Sequence, residues 1–170
     1  MKLMIIESPG KIAKLSAILG DGWKIAASVG HVRDLPQKEM GVEAPDFKPS
    51  YELTERGSDV VARLKGLVKN ADAVYLATDP DREGESISWH LQQCLKLTNP
   101  QRVTFNEITV NAVKSALLQP RSIDVQRVAA QEARRVLDRL VGYMVSPELR
   151  RQSGERLSAG RVPRPAVRLG

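Results

Sequence analysis

The chain has 170 residues, 42% hydrophobic and 27% charged, with 26 Lys plus Arg against 20 Asp plus Glu and a formal charge of +6. That composition suits one full domain and part of another, and it excludes extensive disorder, low-complexity and fibrous classes. No apolar run approaches the ~20 residues of a membrane helix, Glu7 interrupts the N-terminal apolar run, and a single cysteine, Cys94, excludes an internal disulfide and an all-cysteine metal site. The expected setting is the cytoplasm, with no membrane partner.

In chain order, Lys2–Ile6 reads as a buried strand and Ser8-Pro9-Gly10 as the turn into a helix. Ile12, Leu15, Ile18 and Leu19 recur there at helical spacing until Gly20-Asp21-Gly22 stops the pattern. Residues 23–29 predict a second strand. From Gly30-His31-Val32-Arg33-Asp34-Leu35-Pro36 to Tyr51 no period is evident, and the stretch reads as a long loop or hairpin. Residues 59–69 place Val60, Val61, Leu64, Leu67 and Val68 on one helical face, and residues 73–77 form another buried strand. The charged string 78–85 reads as a loop, and 86–97 as a helix with Ile87, His90, Leu91, Cys94 and Leu95 inward. Residues 102–105 read as a strand, and 110–118 as a helix stopped by Pro120. This alternation predicts an α/β fold with a mainly parallel sheet of about four strands flanked by helices.

Asp124 caps a longer helix running to about Met144, ended by Pro147. Charge divides the chain here. Residues 1–120 carry 15 cations and 15 anions, whereas residues 121–170 carry 11 Arg, no Lys and 5 anions. The predicted organisation is therefore an α/β domain over 1–120 and a partial, helical, Arg-rich extension over 121–170. Arginine suits bidentate and stacked contacts with phosphates and bases.

Functional loops of parallel α/β sheets lie at the carboxyl ends of strands, so Glu7 and the 79–85 loop are expected to converge. Asp79, Asp81 and Glu83 alternate, and in an extended loop they project to one side, where their oxygens could hold Mg²⁺. Such a cluster fits phosphoryl-transfer chemistry. Like-charged crowding should raise the pKa of at least one carboxyl, and Glu7 is the candidate acid/base residue. Lys11, one turn into the first helix, could meet a phosphate beside that helix's N-terminus. Arg135, Arg139 and Tyr143, spaced i, i+4, i+8, share one helical stripe that could stack single-stranded bases.

The string Asp79-Pro80-Asp81-Arg82-Glu83-Gly84-Glu85 resembles the signature of the TOPRIM domain of bacterial type IA DNA topoisomerases. Five further segments follow in that family's order: Glu7-Ser8-Pro9-Gly10-Lys11, the Gly30–Pro36 loop, Phe105-Asn106-Glu107-Ile108-Thr109, Ala133-Arg134-Arg135-Val136-Leu137-Asp138-Arg139 and Leu157-Ser158-Ala159-Gly160-Arg161-Val162. The resemblance implies an enzyme that cleaves and rejoins one DNA strand through a 5′-phosphotyrosyl link, relaxing negative supercoils without ATP, in association with the nucleoid. It implies Glu7 as acid/base residue, Glu7, Asp79, Asp81 and Glu83 as the Mg²⁺ site, and Lys11 near the scissile phosphate. It also implies DNA contacts from His31, Arg82, Arg134, Arg135, Asp138, Arg139, Tyr143, Ser158 and Arg161.

None of Tyr51, Tyr75 and Tyr143 stands in the family's nucleophile motif. The resemblance therefore implies that the tyrosine belongs to a C-terminal region following this chain, which alone would not relax DNA. Val162-Pro163-Arg164-Pro165 departs from the family's usual Val-Gln-Ser-Pro. Two other readings use the same residues: a stand-alone single-stranded-DNA-binding TOPRIM module, and a Mg²⁺-dependent TOPRIM nuclease or primase piece.

Overall fold

A computed structural model describes residues 1–37, 39–43 and 48–145. Ser158 and Arg161, the 162–165 departure and the helix stop at Pro147 lie outside the described residues. The chain runs β1 (Lys2–Ile6), a 3-10 turn (Pro9–Lys11), α1 (Ile12–Leu19), β2 (Trp23–Ala27), β3 (Arg33–Asp34), β4 (Val42–Glu43), β5 (Lys48–Pro49) and β6 (Glu52–Leu53). It continues with α2 (Glu55–Lys69), β7 (Ala73–Leu76), α3 (Arg82–Leu95), β8 (Gln101–Arg102), α4 (Val110–Leu117) and α5 (Val125–Val145). The described residues fall into two compact units: Met1–Arg33 with Leu53–Ala129, and those within 34–52 with 130–145.

In the first unit four strands form a wholly parallel sheet in the order β2-β1-β7-β8. Side chains alternate across β1, as a strand's period of two requires. Leu3 and Ile5 join Val60, Val61 and Leu64 of α2 and Ile87 and Leu91 of α3 on one face. Met4 and Ile6 join Leu15 of α1 and Val113 of α4 on the other. Helices on both faces leave the sheet buried on each side, which is why its strands read as continuous apolar runs. The expected α/β architecture is the observed one.

Three boundaries differ most from the sequence reading. Helix α2 starts at Glu55 because the Thr54 hydroxyl accepts the Gly57 N–H at 2.8 Å, an N-cap one turn ahead of the apolar period. Helix α3 starts at Arg82 because Asp81 Oδ1 accepts the Gly84 N–H at 2.7 Å. The last strand is two residues long, and the Val103 N–H continues it to the Leu76 carbonyl at 3.0 Å.

The second unit holds the antiparallel β4–β5 pair, with Val42 opposite Pro49, inside the stretch expected to be a loop or hairpin. Leu35, Met40, Val42 and Tyr143 form its core, with Tyr51, Val136 and Leu140 packed against them. The expected division at residue 120 therefore shifts. Residues 121–129 pack with the sheet unit, and 34–52 pack with the later turns of α5. Among the described residues, no helix is long and apolar enough to cross a membrane.

Candidate functional site: an acidic cleft at the carboxyl edge of the sheet

Strand β1 has β2 on one side and β7 on the other, so the chain reverses its winding between β1 and β7. The crevice outside the carboxyl ends of two such strands is where open α/β sheets bind ligands. Glu7 follows β1 and is half-buried there, and its Oε1 accepts the Asp79 N–H at 2.7 Å. The cleft at this edge is lined by Glu7, Ser8, Lys11, Asp79, Asn106 and Glu107, among others. Burial pushes the Glu7 carboxyl above its ordinary value. The Asp79 N–H opposes that shift, and the charges of Asp79, Asp81 and Glu83 reinforce it. The crowding expected at Glu7 is present.

Asp79, Asp81 and Glu83 are all exposed. Their expected arrangement, alternating along one extended loop, is corrected by the early start of α3. Asp81 is the N-cap with extended backbone (φ −108°, ψ 175°), while Glu83 lies in the first helical turn. Glu83 Oε1 lies 3.4 Å from His31 Nε2. His31 reaches it because Val29 and Gly30, at φ 57° and 85°, turn the chain sharply after β2. A β-branched residue in the left-handed region is rare and stores strain on the order of 1–3 kcal/mol, a feature found at functional loops. Among the described residues, no three His, Cys, Asp or Glu side chains are gathered closely enough to enclose a metal. Arg82 is exposed at the first position of α3, and Lys11 is exposed in the 3-10 turn.

Beneath the cleft is a buried ionic network that the sequence reading did not single out. Glu85 and Arg102 are both 0% exposed. The Glu85 carboxylate accepts from Arg102 Nε at 3.0 Å, from Arg121 Nη1 and Nη2 at 2.8 and 2.9 Å, and from the Asp124 N–H at 2.6 Å. Burial by itself pushes this carboxyl up, but the Arg121 hydrogen bonds, the Asp124 N–H and Arg102 outweigh it and bring it down to about 2. Arg102 in turn donates to the carbonyls of Leu76, Thr78, Val103 and Asp79 at 3.1, 2.8, 3.2 and 2.7 Å. Thr78 Oγ1 bonds the Gly84 carbonyl and the Ser88 hydroxyl, each at 2.6 Å. A Cβ on Gly84 would stand 2.0 Å from the Asp79 carbonyl oxygen, so only glycine lets α3 begin this close to the acidic loop. The signal of this network in the sequence was slight: Arg102 opens a strand segment, and Glu85 ends the charged string.

In the second unit Arg135, Arg139 and Tyr143 do share one face of α5, as their spacing predicts. That face points inward, which corrects the expectation of an open stripe. Arg135 Nε and Nη2 donate to the two carboxylate oxygens of Asp34, each at 3.0 Å. Arg139 is 8% exposed and donates to the carbonyls of Pro36, Glu39 and Met40, and Tyr143 is 3% exposed. Asp34 at the end of β3 presents its carboxylate and the segment after it presents backbone carbonyls, and these groups claim the guanidinium donors. Arg134 and Asp138 remain exposed.

Residues 2–108 match the Toprim domain family. Over 169 residues, 99% of this chain, the sequence is 85% identical to a protein described as "DNA topoisomerase I, plasmid" from Xylella fastidiosa, and it covers 26% of that protein. It is 51% identical to "DNA topoisomerase 1 type prokaryotic" of Acanthamoeba polyphaga mimivirus, over 98% of this chain and 19% of that one. The structure of full-length topoisomerase I from Thermotoga maritima superposes with a TM-score of 0.80 at 39% identity, over 92% of this chain and 28% of that one. The chain thus spans only 19–28% of the length of these relatives. With the sheet, the acidic edge and the matching sequence in agreement, this chain belongs to the Toprim domain family, in the form carried by bacterial DNA topoisomerase I.

Proposed function

We propose that this chain is the acid/base and metal-binding part of a type IA DNA topoisomerase, an ATP-independent enzyme that relaxes negative supercoils on DNA in the nucleoid of the cytoplasm. The observation that carries the reading is the Glu7 carboxyl, bonded to the Asp79 N–H at 2.7 Å, with its pKa raised by burial and by three neighbouring acids. A carboxyl whose pKa is raised keeps its proton to higher pH than an ordinary one, and such a group can give a proton to an alkoxide leaving group and take it back in the reverse step. A tyrosine supplied by another region attacks the phosphorus of a single DNA strand, its phenolic proton passing to solvent, and the P–O3′ bond breaks. Glu7 protonates the departing 3′-oxygen. In rejoining, Glu7 takes that proton back as the 3′-oxygen attacks, and the tyrosine oxygen leaves, regaining a proton from solvent. Lys11, exposed in the turn after β1, supplies charge for the phosphate.

The residues present fit Mg²⁺. Asp79, Asp81 and Glu83 are exposed all-oxygen donors, and Asp81 keeps one oxygen free beyond its cap. Loose spacing suits an ion that retains several waters and takes only one or two carboxylates. When bound, Mg²⁺ supplies a Lewis acid and a template for the phosphate during rejoining. The exposed Arg82 and Arg134 are the proposed phosphate contacts, with His31 at the acidic edge. Arg135 joins them if phosphate displaces Asp34, and the interior positions of Arg139 and Tyr143 make them supports of that helix face.

The test is an adduct assay on a single-stranded oligonucleotide with Mg²⁺, adding in trans the C-terminal region of a relative that carries the tyrosine. A covalent protein–DNA adduct is expected only with both pieces, falling at least tenfold with Glu7→Gln. Nicking by this chain alone, still dependent on Glu7, would replace the reading with a nuclease. Strand binding indifferent to Mg²⁺ and to all four carboxylates would leave only a DNA-binding module.

A further inference from the structure

The mechanism uses Glu7, Asp79, Asp81 and Glu83 but gives no role to Glu85, the last acid of the same string. Its chemistry differs from theirs. Glu85 is 0% exposed, and its carboxylate already accepts four hydrogen bonds, from Arg102, twice from Arg121, and from the Asp124 N–H. A carboxylate so filled has no lone pair directed at the cleft, so it is not a fifth ligand.

What it holds is more informative. Arg102 is fixed at Nε by Glu85, which aims Nη1 at the Thr78 carbonyl and Nη2 at the Asp79 carbonyl, at 2.8 and 2.7 Å. The opposite side of the same residue, the Asp79 N–H, is the donor to Glu7 Oε1. Asp79 is therefore gripped at its carbonyl by one charged group and at its amide by another. The sequence of contacts Glu85, Arg102, Asp79, Glu7 runs unbroken from the buried network to the acid/base carboxyl. Guanidinium groups are suited to this because their planar fork fixes several acceptors at once.

We propose that Glu85 is a positioning residue for the acidic site: through Arg102 it sets the Asp79 backbone, and thereby the placement of Glu7 and of the carboxylates that take a divalent cation. The inference rests on the proposed function for its metal readout, but its backbone readout is independent of that function.

The experiment uses the full 170-residue chain as wild type, Glu85→Gln and Arg121→Ala. Glutamine keeps the volume and one acceptor oxygen but removes the charge and places an NH₂ against arginine donors. Arg121→Ala removes the half-exposed partner and leaves the Arg102–Glu85 pair, so it keeps the question answerable if Glu85→Gln does not fold. Two quantities are read: hydrogen exchange of the Asp79 amide relative to β1 and β2 amides, and Mg²⁺ affinity by calorimetry with MgCl₂ as the probe. In Glu85→Gln the Asp79 amide should exchange at least tenfold faster relative to the sheet, and Mg²⁺ should bind about tenfold more weakly, with Arg121→Ala in between. Exchange that changes only in step with the sheet, in whichever variant folds, overturns the proposal, because that is the signature of general destabilisation. An unchanged Mg²⁺ affinity beside a loosened Asp79 amide also overturns it. If wild type gives no Mg²⁺ signal, the metal reading fails, and the exchange ratio alone decides whether Glu85 positions Asp79.

Discussion

Glu7 shows how one residue acquires a function from its neighbours. Burial raises its pKa first, and the charges of Asp79, Asp81 and Glu83 add to that. Asp81→Asn is an informative change here, because asparagine caps a helix about as well as aspartate and leaves α3 in place. It removes one repulsive charge, so the Glu7 carboxyl should titrate lower than in wild type in side-chain ¹³C NMR. An unchanged midpoint would mean that Asp81 does not act on Glu7. The sequence made this residue legible because strand ends in parallel sheets are where function collects. It did not reveal that the contact is to a backbone N–H of the loop after β7, since a residue's main-chain partners leave no mark in its own identity.

Among the elements, α3 teaches most. Its first turn carries Arg82, Glu83 and Glu85, and a string of charges reads as loop until the cap is recognised. Acids at a helix N-terminus are favoured by the helix dipole, so the signal was present but was outweighed by polarity. Helical glycines separate by what surrounds them. Gly66 of α2 has open space where a Cβ would go, so Gly66→Ala should stabilise the chain by about 1 kcal/mol in urea denaturation. Gly84→Ala drives a Cβ into the Asp79 carbonyl and should cost at least about 3 kcal/mol, loosening the acidic loop first. Similar losses at the two positions would show that the close approach of α3 to Asp79 is not rigid. For α5, spacing revealed which residues share a face but not what that face meets, because Asp34 lies 101 residues from Arg135.

For the whole molecule, hydrophobic period was enough to reveal the parallel sheet and its flanking helices, whereas the division into units was not legible. Charge changes near residue 120, yet Arg121 and Asp124 are tied to Glu85 and keep that stretch with the sheet. The same tie sets an acid limit. The folded Glu85 pKa of about 2 lies below the ordinary 4.5, so its ionised form contributes stability above pH 4.5 that is lost as pH falls toward 2. The full contribution is on the order of 3 kcal/mol, with about 2 kcal/mol of it gone by pH 3. Urea midpoints at pH 6 and pH 3 should fall accordingly in wild type and by less in Arg121→Ala. Equal falls would assign the acid sensitivity to other carboxyls.

The β1–β7 pairing also bears on how the molecule forms. Glu7 and Asp79 are 72 residues apart in sequence, and their strands are neighbours in the sheet. Closing so long a loop is slow, and the contacts that reward it come late. The acidic residues are thus far apart while the local αβ pieces form, and their mutual repulsion is felt only when the sheet closes. Stopped-flow refolding should be slowed by this repulsion at low salt and speeded by added salt, a kinetic trace of the charge density that the finished cleft keeps.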